Sequence, residues 1–320
     1  MLNNICKNII IFFIIFLLFY FLNNNLKKSI LKEKFENNNY ILPKVIYGYW
    51  DNLEGNELIN AHIDTWRRNI PSQWKIEIIS KQNILNYVDI DFYNKYKNLP
   101  AFRFSDFLRV YLLSKNGGIW MDASTIIING QFLDDFYNEM IENKYDLLIY
   151  ELKGHSIPNQ PYLENWFIMC PKNSNIITDI YEEFSKAYDM GFVNYKNNIL
   201  KSEIDLSKTL SKKKNDNKNT YLMQHAIIQY LLKKNNWNKC GSSSIFSGVN
   251  TKENAYNINI KDADEGMFKA HKINGWNNNK LIDYILNNND WSGYYAIKLV
   301  GFNRRAIYDK YLFIQKLNSF

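Results

Sequence analysis

Two rhythms of apolar and polar residues alternate along this chain, after an N-terminal run that shows neither. Ile9 to Leu22 is apolar throughout, without a charge or a helix breaker. At about 1.5 Å per residue the run extends about 21 Å, so Ile5, Cys6 and the stem of Lys7 must lengthen it to cross a hydrocarbon core of about 30 Å. It has no polar face, and Asn23-Asn24-Asn25 offers no small-residue cleavage site, so it reads as a retained membrane anchor. The expected organisation is a tail over 1–8, the anchor over 9–22, a lysine-rich stem over 23–42 and one domain over 43–320.

Within that domain, Lys44 to Trp50 is β-branched and aromatic, the profile of a buried strand. Glu57 to Asn69 places Leu58, Ala61, Ile63 and Trp66 at helical spacing and is ended by Pro71; Trp74 to Ser80 is a second strand. Strand, helix and strand with short connections predict an α/β fold, a mostly parallel sheet flanked by helices. The pattern continues with a helix over Phe104–Asn116 stopped by Gly117-Gly118, then strands Ile119–Met121 and Thr125–Ile128 on either side of Asp122-Ala123-Ser124. Helix Phe132–Asn143, strands Asp146–Tyr150 and Glu164–Cys170, and helix Asn173–Met190 follow. The stretch 200–219 is rich in Lys, Ser and Asn and reads as an exposed insertion. Helix Tyr221–Leu232, short strands near Ile245–Val249 and Phe268–Ile273, and helix Lys280–Leu286 complete the pattern.

A hydrophobic fraction of 46% with 16% aromatics excludes a wholly disordered or coiled-coil chain. Three cysteines, Cys6, Cys170 and Cys240, make neither a disulfide framework nor a four-thiolate zinc site. The net charge is +7, but the lysines around the apolar run account for part of it, and Lys212-Lys213-Lys214 sits in a polar loop. Basic residues interleaved with aromatics along a helix are absent, so no nucleic-acid partner is expected. Lysines crowd the C-terminal side of the anchor, which places the domain in the cytosol by the positive-inside rule. None of the 47 asparagines begins an Asn-x-[Ser/Thr] acceptor, in keeping with that side; a Golgi-lumen, type II topology is the alternative.

The chemistry concentrates in Phe104 to Ser124, FSDFLRVYLLSKNGGIWMDAS. Asp106 and Arg109, three apart on a helix, project from one face, while Leu108, Tyr111 and Leu112 pack from another. The apolar Ile119-Trp120-Met121 delivers Asp122 to the end of a buried strand, and in open α/β sheets ligands bind beyond those ends. A carboxylate there needs a metal ion, a sugar hydroxyl or a cation as partner. The bland alternative is a helix-surface ion pair worth at most about 0.5 kcal/mol, with Asp122 capping a turn. The P-loop, His-Glu-x-x-His, Cys-x-x-Cys and Gly-x-Ser-x-Gly patterns are absent.

This stretch resembles the donor-sugar motif of capsular polysaccharide synthesis proteins, which are similar to glycosyltransferase family 32 and to the glucosylating bacterial toxins. The shared form is Ser-Asp-x-x-Arg on a helix, then Gly-Gly-x-x-x-Asp, here Ser105-Asp106 to Arg109 and Gly117-Gly118 to Asp122. Weaker similarities lie at Lys44–Trp50, the helix with Trp66, Glu164-Asn165-Trp166-Phe167 and His271. The resemblance implies a GT-A, Rossmann-like fold, and a transferase that moves a sugar from a nucleotide-sugar donor to a glycan or polysaccharide acceptor; the apolar run over 9–22 adds the lipid bilayer as a partner. It implies that Tyr49 and Trp50 border the nucleotide base, and that Ser105, Asp106 and Arg109 contact the donor sugar and diphosphate. Asn165 and Trp166 would line the acceptor pocket, the alternative being that this aromatic strand belongs to the core. A divalent cation, Mn²⁺ or Mg²⁺, would be held by Asp122, Ser124 and His271, and retention at the anomeric carbon is the expected outcome. Toxin relatives carry Asp-x-Asp where this chain has Asp122-Ala123-Ser124, which weakens the metal set, since a hydroxyl is a poor, neutral ligand. The competing functions are a catalytically silent nucleotide- or glycan-binding relative within a polysaccharide-assembly complex, and a metal-dependent phosphohydrolase.

Overall fold

The computed structural model describes residues 40–157, 160–199, 201, 204–206, 209–210, 220–234, 238–239, 245–249, 255–262 and 278–320. The expected anchor over 9–22, most of the stem, the strand near Phe268–Ile273 and His271 lie outside the described residues. No helix among the described residues is long and apolar enough to cross a membrane. Residues 41–320 form one compact unit.

Its centre is an eight-stranded sheet in the order β2-β1-β3-β6-β5-β9-β8-β7. The strands are β1 (Val45–Tyr49), β2 (Lys75–Ile79), β3 (Gly118–Met121), β5 (Leu147–Glu151), β6 (Leu163–Cys170), β7 (Asn238–Lys239), β8 (Ile245–Val249) and β9 (Ala255–Asp262). β1 runs parallel to both β2 and β3, and β5 parallel to β9, whereas β6 and β8 run against both of their neighbours. Six strands therefore share one direction, and the expected mostly parallel character holds with two reversed strands inserted. A separate two-stranded ribbon pairs β4 (Thr125–Ile127) with β10 (Ala296–Lys298), antiparallel.

Alternation along β1 sorts the two sides of the sheet. Tyr47 and Tyr49 enter the large core beneath α3 (Ala101–Asn116), α5 (Asn175–Asp189) and α7 (Met223–Lys234). Trp50 packs instead with Ile59 and Ile63 of α1 (Glu57–Asn69). The C-terminal helices α8 (Asn278–Asn287) and α10 (Lys310–Leu317) contribute Ile282, Ile285, Phe313 and Leu317 to a second cluster, which also holds Ala61 of α1 and Ile126 of β4, and the short α9 (Gly301–Arg305) lies between β10 and α10 in the chain. Helices α2 (Ile90–Tyr96), α4 (Phe132–Asn143) and α6 (Phe192–Ile199) complete the set.

Most expected elements stand where the pattern put them, within a few residues. The expected exposed insertion over 200–219 is corrected only at its described residues, 201, 204–206 and 209–210. Of its described residues, Ile204, Leu206, Thr209 and Leu210 are buried, and the three apolar ones join the main core. The domain also begins slightly earlier than Pro43, for Leu42 is buried and the Ile41 carbonyl accepts from the Lys172 amide at 2.8 Å.

Candidate functional site

The site is built around a tight turn at the carboxyl end of β3. The Asp122 amide donates to the Trp166 carbonyl at 2.9 Å, and the Thr125 amide returns to the Asp122 carbonyl at 2.9 Å. This closes a turn with Ala123 and Ser124 at its centre, where the Ala123 methyl is buried. Asp122 Oδ1 accepts from Trp120 Nε1 at 2.9 Å and from Arg109 Nη2 at 3.0 Å. Its Oδ2 accepts from Lys298 Nζ at 2.6 Å, and the same ammonium donates to Ser124 Oγ at 2.7 Å. Strand register explains the lysine's presence: Lys298 lies opposite Thr125 in the β4–β10 ribbon, and the Leu299 amide donates to the Ser124 carbonyl at 3.3 Å.

Helix α3 supplies the facing wall. Asp106 lies between two arginines of its own helix, accepting from Arg103 Nη1 at 3.0 Å and Arg109 Nη1 at 2.9 Å. The same Arg109 Nη1 reaches Gln224 Oε1 at 2.7 Å, and Gln224 Nε2 donates to the Asp106 carbonyl at 2.8 Å. Asn165 Nδ2 donates to Gln224 Oε1 at 2.8 Å. The Arg109 guanidinium also lies over the Trp120 ring, 5.0 Å from its centre. Asp122 and Arg109 thus share one polar pocket bounded by α3, α7, β6 and the β3–β4 turn. The stretch Phe104–Ser124 brings Asp106, Arg109 and Asp122 together, and the helix's polar face is buried, unlike the solvated ion pair of the bland alternative.

Positive charge dominates this pocket. Arg103, Arg109 and Lys298 contact its two carboxylates, and Arg304 of α9 adds a favourable interaction with Asp122. Four cationic side chains against two carboxylates leave a surplus of two positive charges among the described residues. Burial alone would push the Asp122 carboxyl up, but Lys298 first and Arg109 next outweigh it and hold the group well below the usual carboxylate range. Burial pulls the Lys298 ammonium and the Arg304 guanidinium below their ordinary values, with Asp122 opposing both shifts. A group with acceptor oxygens and negative charge is the chemical complement of such a pocket.

The other residues expected at the site are dispersed. Tyr49 and Trp50 do not share a pocket. Tyr49 donates its hydroxyl to Asp51 at 2.8 Å and lines a hollow with Lys81, Tyr93, Lys97 and Phe104. Trp50, one residue on, carries the Arg304 guanidinium 5.2 Å from its ring centre. Asn165 joins the cluster, but Trp166 is buried and stacked on Tyr150 at 5.3 Å, so it belongs to the core rather than to an open acceptor pocket. Half-buried Ser105 precedes Asp106 on α3, and no hydrogen bond ties it to the cluster among the described residues. His225 sits 3.8 Å from Glu164 and beside the Tyr162 ring.

Sequence reasoning missed Arg103, Gln224, Lys298 and Arg304. Only Lys298 left a local trace, as a single cation inside the apolar run Ala296-Ile297-Lys298-Leu299-Val300.

The described donor set does not suit a divalent ion. Such ions take six or more oxygen ligands at short range. Here both Asp122 oxygens and the Ser124 hydroxyl are already engaged by cations or by Trp120. No group of three His, Cys, Asp or Glu side chains placed to hold a metal occurs among the described residues.

Comparison with known proteins adds a family. A family model described as capsular polysaccharide synthesis protein matches residues 16–257. The O-glycosyltransferase braB of Annulohypoxylon truncatum is 26% identical over 163 residues, which is 46% of this chain. The chain spans about 38% of the length of that curated relative. Among solved structures, the PaToxG glycosyltransferase aligns with a TM-score of 0.34 at 15% identity, covering 67% of this chain and 78% of the other.

Proposed function

This chain belongs to the family of capsular polysaccharide synthesis proteins, and from that premise we propose that it is a glycosyltransferase moving a sugar from a nucleoside diphosphate to a glycan or polysaccharide acceptor. The observation that carries the reading is the largely buried polar cluster at the end of β3, where two carboxylates stand among four cations. In transfer, the bond between the anomeric carbon and the diphosphate oxygen breaks, and its electron pair passes to that oxygen. The acceptor hydroxyl oxygen bonds to the anomeric carbon, and its proton leaves with the departing phosphate or to water. Fixed positive charge aimed at the leaving oxygens lowers this barrier most, because it requires no reorganisation as charge develops.

In this reading Asp122, ionised at any working pH, accepts a hydroxyl of the donor in exchange for one of its present partners. Arg109 is held by Asp106 and Gln224 so that its outer edge stays on the Asp122 side. Asn165, tied to Gln224, borders the sugar. Both carboxylates are engaged by cations, so neither serves as a base, which supports retention at the anomeric carbon. A GT-A-type fold and anchoring through residues 9–22 complete the proposal. The test is incubation of the purified chain with a panel of nucleotide sugars and glycan acceptors, with NMR of the product anomer. Turnover with one donor and a retained anomer is the expected result; a folded protein that turns over no donor ends the proposal.

A further inference from the structure

In the turn where the resemblance expects a metal ion, the described structure puts an amine. Lys298 Nζ bridges Asp122 Oδ2 at 2.6 Å and Ser124 Oγ at 2.7 Å, the same two oxygens an ion would need. This is a built feature and not a surface lysine in passing. The side chain is only 6% exposed, and its backbone is locked opposite Thr125 by the β4–β10 ribbon. A divalent ion bonded to those oxygens would sit against the ammonium, and two cations so close repel strongly in a buried site. Ser124 also fits the amine better than a second aspartate would. A neutral hydroxyl accepts one N–H, whereas another carboxylate would add a negative charge to a pocket that works by its positive surplus.

We propose that the Lys298 ammonium replaces the divalent cation in this protein, holding the Asp122–Ser124 turn in shape and contacting the diphosphate of the donor directly. An ammonium has three N–H donors. Asp122 and Ser124 take two, and the third has no acceptor among the described residues. That donor, together with Arg109 and Arg304, which both interact with the same Asp122, supplies the positive charge for the leaving diphosphate. The ammonium keeps its proton throughout and acts by charge and hydrogen bonding alone. The inference rests on the glycosyltransferase reading for its catalytic part and on nucleotide binding for the rest.

The experiment uses the full chain after exhaustive treatment with EDTA. Turnover is expected to stay within about twofold of that with added Mn²⁺, and Lys298→Met to lower kcat by roughly 100-fold, as loss of one preorganised charge-stabilising donor does. Lys298→Arg, which keeps the charge, should retain more activity than Lys298→Met and serves if the methionine variant fails to fold. Electron paramagnetic resonance should find added Mn²⁺ free in solution with the wild type and UDP or GDP present. Activity lost in EDTA and restored by Mn²⁺, or one bound Mn²⁺ per chain, overturns the inference and leaves sugar transfer standing. Full activity of Lys298→Met overturns it as well. Should no donor turn over, calorimetry with UDP and GDP in EDTA separates the two ideas. Binding weakened about tenfold or more by Lys298→Met retires transfer and keeps the lysine's role; binding indifferent to that change, or no binding at all, overturns the role too.

Discussion

Asp122 accepts from a tryptophan, an arginine and a lysine at once, and that concentration makes it the residue whose loss the fold should feel most. Asp122→Asn leaves Lys298 buried without its counter-ion and Arg109 paired with Asp106 alone, and breaking a buried pair typically costs about 3–5 kcal/mol. Urea denaturation should show that loss, and Lys298→Met in the same chain should recover part of it; additive effects would mean that the ion pair is not coupled. A second carboxylate behaves in the opposite sense. Asp146, before β5, is buried, and burial pushes its carboxyl up from 3.8 to about 7, against a single hydrogen bond from the Asn257 amide. The folded state therefore holds the proton more tightly than the unfolded chain, and stability falls as pH rises from about 4 through about 7. His62 opposes this over part of the range. Burial first, then Arg304 and Lys298, lower its pKa to about 3, so folding loses stability as pH falls below 6.5. The two trends are separated by Asp146→Asn, whose stability relative to wild type should rise by about 3 kcal/mol between pH 5 and pH 8. A pH-independent difference in chemical denaturation would sink that assignment. The residues legible in the sequence were those whose partners lie nearby in the chain: Asp106, Arg109 and Asp122 fall within one helix, turn and strand. Gln224 and Lys298 lie 115 and 174 positions from Arg109 and Ser124 respectively, and no local spacing announces such a pair.

At the level of elements, the strongest local signals were also the most faithful. Helix α1 occupies the residues that its apolar spacing and Pro71 indicate, because a long amphipathic face and a stop signal act together, and α4 also spans its expected residues. Helix α2, of seven residues, and β10, of three, are too short for a periodic pattern to rise above the background; each is fixed by what it packs on or pairs with. The reversal of β6 is equally invisible locally, since an antiparallel neighbour presents the same side-chain alternation as a parallel one. The join between α3 and β3 is where local sequence and tertiary packing meet. Gly117 and Gly118 adopt φ of 68° and 96°, and a methyl on Gly118 would lie 2.6 Å from Val45 Cγ1 and 2.8 Å from the Val45 carbonyl oxygen. Strained backbone and a clash with β1 combine, so Gly118→Ala should destabilise by about 3 kcal/mol or more. Because this join aims both Arg109 and Asp122, the surviving folded fraction should also show reduced kcat. A variant with wild-type stability would mean that the backbone relaxes into another turn.

For the whole molecule, the salient division lies between the sheet with its large core and the C-terminal layer that brings Lys298 to it. The family match ends at residue 257, so α8, β10, α9 and α10 fall outside what the family pattern describes. That is why the resemblance supplied Asp122 but had nothing to offer for its partner amine. Besides the β4–β10 pairing, an apolar cluster ties the layer to the rest: Phe313 and Leu317 of α10, Ile297 of β10 and Ile282 of α8 pack with Ala61 of α1 and Ile126 of β4. The Leu317 carbonyl adds a bond from Arg68 Nη2 at 2.8 Å. If this cluster is what seats the lysine, then loosening it far along the chain should loosen the catalytic turn as well. Phe313 is fully buried, and Phe313→Ala removes a side chain whose loss typically costs about 3–5 kcal/mol. Hydrogen exchange in the native state should then accelerate together in α10, in the β4–β10 ribbon and at the Leu299 amide that donates to Ser124, as one cooperative unit does. Faster exchange confined to α10 would show instead that the ribbon, and with it Lys298, is held by the sheet side alone.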